Sequence, residues 1–484
     1  MPFYSQPVVI HNRPTRTDMT RQEIEDMKMF KSINPATGNL VAEYPEMSPD
    51  TVQDILQQAF QAQQKWRNIP IRERAKMMLK ASDLLLANKQ QYARMMTDEM
   101  GKIALQGIAE IEKCAWVCRF YAEQAEQFLA PEDIETDAHH SFITYNPLGV
   151  VLAIMPWNFP FWQVFRFAAP GLMAGNGCLL KHAPNVFGCA LMIESLFRQA
   201  GFPEHLFRSL LIDIPETTNV LHDRRVAAVT ITSSVNAGRA VAAEAGKVLK
   251  KCVLELGGSD PFIVLEDADI DKAVEVGIVG RFQNSGQSCI AAKRFIVVDA
   301  VYEEFKQKFV AAVSELKMGD PTEDDVYIGP QARIDLRDGL ADQVQRTVDA
   351  GASVLIGGEV PEGDGAFYPA TVLADVKHGM AAWSEELFGP VATLIHVQDE
   401  AEAIEVANAT DFGLSGSVWT RDLTRGERIA ANQIEAGAAF VNEMSKSDPR
   451  MPFGGIRLSG YGRELSIFGI REFVNIHSVW VCRP

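Results

Sequence analysis

The chain predicts an α/β protein built on a doubly wound parallel sheet, and three observations predict it. From Leu148 onward, short apolar runs of strand length alternate with helical stretches, the pattern of parallel strands joined by crossovers. The polar features Pro156-Trp157-Asn158, Lys181, Thr232-Ser233-Ser234 and Glu255 all fall at carboxyl ends of those strands, where open α/β sheets bind ligands. At 484 residues the chain is also too long for one core, so at least two units are expected.

Composition narrows the function classes. Hydrophobic residues at 47% and charged residues at 23% describe a soluble globular chain rather than a disordered one. The formal charge of −17 disfavours nucleic acid and anionic membrane, both of which need a basic surface. No 18-residue apolar run exists; the longest, around Val150–Pro156, has strand length. Seven cysteines (114, 118, 178, 189, 252, 289 and 482) are odd in number and sparse, which fits a reducing, cytoplasmic setting better than a disulfide framework. Cys114 and Cys118 stand four apart on a helix, but nothing completes a zinc set around them, so helix packing is expected and no metal. Residues 1–30 mix Arg13, Arg16 and Arg21 with acids and lack an apolar core, which reads as a flexible tail rather than a signal peptide.

In chain order, Ser32–Gly38 reads as strand and turn, and Ser48-Pro49-Asp50 as a helix entry. Thr51 to about Leu129 is helical, punctuated at Pro70 and Gly101; its last helix, roughly Ile103–Phe128, places Ala115, Trp116, Cys118, Phe120 and Tyr121 in the core. Ser141–Asn146 alternates as an exposed strand that suggests pairing with another subunit. Strands follow at Val150–Met155, Cys178–Lys181, Phe207–Ile212, Val226–Ile231 and Lys251–Glu255, with helices at Phe161–Ala174, Ala190–Ala200 and Ala237–Leu249. A second αβ series begins at Pro261–Leu265 with the helix Ile270–Asn284. It continues through Arg294–Val298 and Val391–Val397 to Ala438–Val441, then a Gly/Pro-rich segment, 446–462, and a terminal strand Asn475–Cys482.

Familiar nucleotide signatures are missing: no G-x-G-x-x-G follows a strand and no P-loop is present. A phosphate is nonetheless accommodated by Thr232-Ser233-Ser234, where hydroxyls meet a helix N-terminus, although such runs are also ordinary N-caps. Catalytic chemistry gathers on the turn Gln283-Asn284-Ser285-Gly286-Gln287-Ser288-Cys289. A thiol there is a candidate nucleophile for a carbonyl carbon, with its own N–H and the Asn158 amide as oxyanion donors. Glu255, ending an apolar strand before Gly257-Gly258, is a carboxylate that burial would tune to act as a base.

Four motifs then carry a resemblance. Met155-Pro156-Trp157-Asn158-Phe159-Pro160, Leu254-Glu255-Leu256-Gly257-Gly258-Ser259-Asp260-Pro261, Asn284–Cys289 and Glu386-Leu387-Phe388-Gly389-Pro390 occur in the order of the aldehyde dehydrogenase superfamily, which the chain resembles from about Ile33 to Trp480. The wording Lys181-His182-Ala183-Pro184-Asn185 and Lys446-Ser447-Asp448-Pro449-Arg450 is most similar to bacterial succinate-semialdehyde dehydrogenases.

The resemblance implies an aldehyde dehydrogenase-like fold. Its cofactor domain would span 31–134 and 148–257, its catalytic domain 258–469, and its small β oligomerisation arm 135–147 and 470–484. It implies oxidation of succinate semialdehyde through a Cys289 thiohemiacetal and thioester, with Asn158 holding the oxyanion and Glu255 activating water. A different ω-carboxylate aldehyde, such as glutarate semialdehyde, or an aromatic aldehyde is the alternative substrate. NAD is expected as cofactor, with NADP also possible because Pro184 puts no acid where a 2′-phosphate would sit. By the same resemblance Lys181 faces the adenine-side ribose, Ser234 the pyrophosphate and Glu386 the nicotinamide ribose. Phe388, Trp157, Pro156, Thr232 and Gly257 line the same groove. Arg166, eight residues after Asn158, is expected to clamp the substrate's distal carboxylate; a second arginine of some relatives is Gln283 here, and Ser447, Lys446 or Arg450 is expected to supply the missing contact. A homodimer or homotetramer is implied. Ser233 stands where the family has glycine, and Ala291 removes a second thiol used by some relatives as a redox switch.

Overall fold

The computed structural model describes residues 28–484. Met29–Ile33 (β1) and Leu40–Pro45 (β2) pair antiparallel. Met29 and Phe30 therefore belong to a strand rather than to the tail expected through residue 30. The Phe30 ring meets Phe187 edge-on at 5.1 Å, an apolar contact that a free tail would forfeit. The rest of that expected tail, 1–27, lies outside the described residues.

Four helices follow: Pro49–Trp66, Ile71–Ala87, Lys89–Met100 and Ala104–Phe128. The first opens on Ser48, whose side chain accepts the Thr51 N–H, with Pro49 at the position where a missing N–H costs nothing. Gly101 closes the third at φ 74°, the left-handed cap that glycine supplies. The break at Asn88 has no Pro or Gly to announce it. Its Nδ2 donates to the Leu84 carbonyl at 2.8 Å, so an amide side chain competes with the helix ladder. On the last helix Cys114, Ala115, Cys118 and Tyr121 are buried, but Trp116 is exposed, with the Arg450 guanidinium 5.5 Å from its ring.

Glu132–Asp133 (β3) and His140–Pro147 (β4) precede the first large sheet. That sheet is made of Val150–Met155 (β5), Gly177–His182 (β6), Phe207–Ser209 (β7), Val226–Thr232 (β8) and Lys251–Glu255 (β9), parallel in the order β9-β8-β5-β6-β7. The chain winds outward from β5 through β6 and β7, then crosses back to β8 and β9. The switch point between β5 and β8 opens a crevice at their carboxyl ends. β7 stops at Ser209, short of the expected Ile212, and the Ser209 N–H goes to the Glu194 carboxylate at 2.6 Å.

The second sheet comprises Asp260–Val264 (β10), Ala292–Val298 (β11), Ser353–Ile356 (β12), Thr371–Ala374 (β13), Val391–Val397 (β14), Ser415–Trp419 (β15) and Ala438–Val441 (β16). Its order is β12-β13-β14-β11-β10-β15-β16, parallel except for β12. β10, β11 and β15 are buried along their whole length, which explains their unbroken apolar text. The Ile270–Phe282 helix ends before Asn284, because Asn284 and Ser285 hold φ of 58° and 53° and cannot continue a right-handed helix.

The Gly/Pro-rich segment is more than a loop. Gly460–Tyr461 (β17) returns to the first sheet and pairs antiparallel with β9, Gly460 opposite Glu255. Val474–Val481 (β18) then lies antiparallel on β4, in the order β18-β4-β3. β18 leaves an open edge on which Ile476 and Trp480 are exposed.

Candidate active site

Asn158 sits just beyond β5 and is tied in from both sides. The Phe161 and Trp162 amides, at the start of the Trp162–Met173 helix, each donate to Glu110 Oε1 at 2.9 Å; Lys102 is ion-paired to the same carboxylate. At the end of β6, the His182 ring lies between two backbone carbonyls, Nε2 at 2.9 Å from that of Pro160 and Nδ1 at 3.2 Å from that of Met155. Burial pushes this imidazole down to about 4 and keeps it neutral at physiological pH. The loop bearing Asn158 is therefore pinned by a carboxylate and a neutral histidine, neither of which the sequence reading singled out.

The turn bearing Cys289 meets it directly. Asn284, Ser285 and Gly286 take φ of 58°, 53° and 72° in succession. Two non-glycine residues in the left-handed region store strain that surrounding bonds must offset. Those bonds are present: Asn284 Nδ2 donates to the carbonyls of Asn158 at 2.8 Å and Gln287 at 3.1 Å, and its N–H donates to Gln106 Oε1 at 2.7 Å. Asn158 Nδ2 donates to the same Gln287 carbonyl at 3.1 Å. Lys293 Nζ takes the next two carbonyls, Ser288 at 2.9 Å and Cys289 at 2.7 Å. Three successive carbonyls are thus held by side chains, which fixes the peptide planes around the thiol. Burial pushes the Cys289 thiol up to about 12, while the cations Arg166 and Lys293 pull the other way.

Glu255 ends β9, is buried, and has no hydrogen-bond partner for either carboxylate oxygen among the described residues. Burial first and the Glu464 carboxylate second hold it well above the usual carboxylate range, against Arg166 and Arg463. Glu464 was not anticipated. It is buried and ion-paired with Arg166, whose Nη2 donates to Thr232 Oγ1 at 3.3 Å and whose guanidinium lies 4.5 Å from the Phe453 ring centroid. Arg166, expected to clamp a substrate carboxylate, is here engaged by a carboxylate of the chain itself, Glu464. Gln283 is exposed at the start of the turn. Ser447 is buried, accepting from Lys113 Nζ at 2.8 Å and Trp162 Nε1 at 3.1 Å.

The crevice beside β5 and β8 has the features that a nicotinamide dinucleotide needs. Ser234 is exposed and caps the Val235–Lys247 helix, its Oγ accepting the Ala237 N–H at 3.4 Å, so a helix N-terminus opens on the groove where a pyrophosphate would lie. Ser233 donates its N–H to the Glu255 carbonyl at 3.0 Å, which ties β8 to β9 at the groove's edge. Gly257 permits a close approach that a Cβ would block, since one built there collides with the Glu386 carboxylate. Glu386 accepts the Gly258 N–H at 3.0 Å and stands 3.4 Å from Lys293, connecting groove and thiol turn. The Trp157 and Phe388 rings meet edge-on at 5.7 Å, and Pro156 is half-buried beside them in sequence. Lys181, half-buried at the end of β6, has its ammonium pushed down by burial, with Asp213 opposing.

Comparison with known proteins agrees with this geometry. The Aldehyde dehydrogenase family profile matches residues 22–479. A Synechocystis sp. protein named "Probable succinate-semialdehyde dehydrogenase, NADP(+)" is 50% identical over 450 residues, covering 93% of this chain and 99% of its own length. The succinate semialdehyde dehydrogenase Sad of Escherichia coli, named for NAD(P)+, is 48% identical over 93% of this chain and 97% of its own. Among solved structures, the succinic semialdehyde dehydrogenase of Streptococcus pyogenes in complex with NADP+ superposes with a TM-score of 0.92 at 36% identity, covering 94% of this chain and all of that one.

Proposed function

Because the chain belongs to the aldehyde dehydrogenase family, we propose that it oxidises succinate semialdehyde to succinate with NAD+ or NADP+. The observation that carries the reading is the Asn158–Gln287 contact, which holds a side-chain amide against the strained turn that ends on Cys289. The relatives named for succinate semialdehyde support the substrate.

In this reading the Cys289 sulfur bonds to the aldehyde carbon, and the negative oxygen that forms is met by the second N–H of the Asn158 amide and by the Cys289 backbone N–H. The dinucleotide, when bound, supplies the two-electron acceptor, held by Ser234 at its pyrophosphate, Lys181 and Glu386 at its riboses, and Trp157 and Phe388 at its ring. The oxidised carbon is then a thioester on Cys289. Glu255 takes a proton from water, hydroxide adds to that carbon, and the thiolate leaves. Lys293 and Arg166 keep positive charge near the departing sulfur. Arg166 acts as a positioning group that partners Glu464 and tempers the field at Glu255. Residues 31–134 and 148–257 carry the cofactor and 258–469 the thiol. The exposed β18 edge fits pairing between copies in a homodimer or homotetramer, and seven unpaired cysteines fit a reducing, cytoplasmic compartment. No helix among the described residues is long and apolar enough to cross a membrane.

A steady-state aldehyde panel run in parallel with NAD+ and NADP+ tests the reading. Highest kcat/KM on succinate semialdehyde is expected, and a preference for aromatic or uncharged aldehydes would overturn the substrate assignment. Asn158→Ala should lower kcat by about 10²- to 10³-fold, the usual effect of deleting one oxyanion donor, with little change in cofactor binding. The 2′-phosphate has its own test. Pro184 opens a single helical turn, Pro184–Val186, directly after the strand that carries Lys181. Pro184→Glu places a carboxylate near that phosphate and should cut kcat/KM for NADP+ by roughly tenfold or more while sparing NAD+. Equal effects on both cofactors would mean that position 184 does not face the 2′ position.

A further inference from the structure

One of the oxyanion donors on the thiol turn is a peptide N–H, and a peptide N–H is aimed by whatever holds the carbonyl on its other side. In the trans Ser288–Cys289 peptide the two groups point opposite ways. The Ser288 carbonyl accepts the Ala291 N–H at 3.2 Å and Lys293 Nζ at 2.9 Å, so both of its lone pairs are committed. The Cys289 N–H, opposite, donates to no backbone carbonyl among the described residues. The following peptide is held as well, because the Cys289 carbonyl accepts the same ammonium at 2.7 Å. One side chain thus bridges the two peptides on either side of the Cys289 α-carbon.

Lys293 is itself held in place. It is the second residue of β11, four past the thiol, and it is buried. Thr393 on β14 donates its Oγ1 to the Lys293 carbonyl at 2.8 Å, which fixes the backbone from which the side chain turns back. An ammonium has three hydrogens: two go to the Ser288 and Cys289 carbonyls, and the third side faces Glu386 Oε1 at 3.4 Å. Burial pushes this ammonium down, while Glu386 first and Asp260 next oppose it. A bond from a cation to a carbonyl is charge-assisted, and it polarises the peptide so that the N–H at the other end becomes the stronger donor.

We propose that Lys293 is a positioning residue of the oxyanion hole: by gripping the Ser288 and Cys289 carbonyls it aims and polarises the Cys289 N–H toward the oxygen that turns negative as the thiol adds to the aldehyde. This inference rests on the aldehyde-oxidising reading of the site and gives Lys293 a role beyond placing positive charge near the sulfur.

Two reactions of the same thiol test the role. Addition to an aldehyde builds an oxyanion, whereas alkylation by iodoacetamide displaces iodide at a saturated carbon and builds none. Single-turnover NAD(P)H formation from succinate semialdehyde and inactivation by iodoacetamide are measured at one pH in wild type, Lys293→Met and Lys293→Arg. Lys293→Met should slow NAD(P)H formation by about 10²- to 10³-fold, the usual loss of one oxyanion donor, with KM for the aldehyde within a few-fold. Alkylation should slow by no more than about tenfold, the effect of about one pKa unit at the thiol when a nearby charge is lost. Lys293→Arg, which keeps the cation and its donors, should recover part of the NAD(P)H rate. Should Lys293→Met not fold, Lys293→Gln, uncharged and one bond shorter, carries the same comparison with the same divergence expected. If the two rates fall by equal factors, or neither falls, the inference is refuted while the aldehyde-oxidising reading stands. A wild type that forms no NAD(P)H from any aldehyde overturns that reading, and the inference with it.

Discussion

Cys289→Ala will abolish aldehyde oxidation while leaving NAD(P)+ binding within a few-fold of wild type. The groove residues that would hold the dinucleotide belong to β5, β6 and β8 and to the Glu386 loop, and none depends on the sulfur. Isothermal titration with cofactor alongside an activity assay separates the two effects, and residual turnover above background would remove Cys289 from the nucleophile's role. Wild-type enzyme provides a second readout. With the thiol pushed up to about 12, thiolate is a small minority at neutral pH. Inactivation by iodoacetamide should therefore climb by about tenfold per pH unit between roughly pH 7 and 10 without a plateau. A plateau near neutrality would mean that Cys289 is held as a thiolate before substrate arrives.

Glu255→Gln should separate the two halves of the reaction. Thioester formation needs the thiol and the oxyanion donors, and hydrolysis needs a base; a burst of NAD(P)H near one equivalent per subunit is expected, followed by turnover lowered by about 10²- to 10⁴-fold. Loss of the burst itself would place Glu255 in the first half-reaction. The same variant should be more stable than wild type. A carboxyl whose pKa is raised on folding binds its proton more tightly in the folded protein. Its contribution is most favourable below the unfolded value of about 4.3 and is lost as pH climbs toward the folded value. Glu255 follows that direction. Glutamine removes the buried charge, so the gain in Tm should be near zero at about pH 4 and grow with pH, reaching on the order of 1–3 kcal/mol in unfolding free energy. Such a gain with a loss of turnover is the mark of a group kept for chemistry at the expense of stability.

The reacting residues were legible because their signals are local in sequence. A thiol ending a polar, glycine-containing turn, an amide after an apolar strand and a carboxylate before two glycines each show their setting within a few residues. Glu464 and Lys113 were not legible in this way. Glu464 follows a glycine-rich stretch that reads as loop, and the pairing of Gly460 with Glu255 and of Phe453 with Glu464 brings it beside Arg166. Lys113 sits on a long helix beside the exposed Glu112, and nothing in its neighbours says that it faces Ser447, far along the chain. The pairing of Arg166 with Glu464 was not foreseen, because sequence spacing reports a helix face and not what packs against it. The break at Asn88 was missed for a related reason, since a side-chain amide that competes with the helix ladder has no signature as strong as Pro or Gly.

The pairing of β17 with β9 also bears on how the enzyme is made. Synthesis proceeds from the N-terminus, so β5 to β9 can assemble long before Gly460 and Tyr461 leave the ribosome. Until then the outer edge of β9 is bare, Glu255 has no Glu464 or Arg463 beside it, and Arg166 lacks its anion. A chain cut short after Val441 would hold a complete thiol turn but an unfinished base and an open sheet edge, a form prone to associate with other nascent chains. Competence to hydrolyse the thioester thus arrives only once residues 460–464 have been translated, and a product truncated before them should be recovered as aggregate rather than as a partial catalyst.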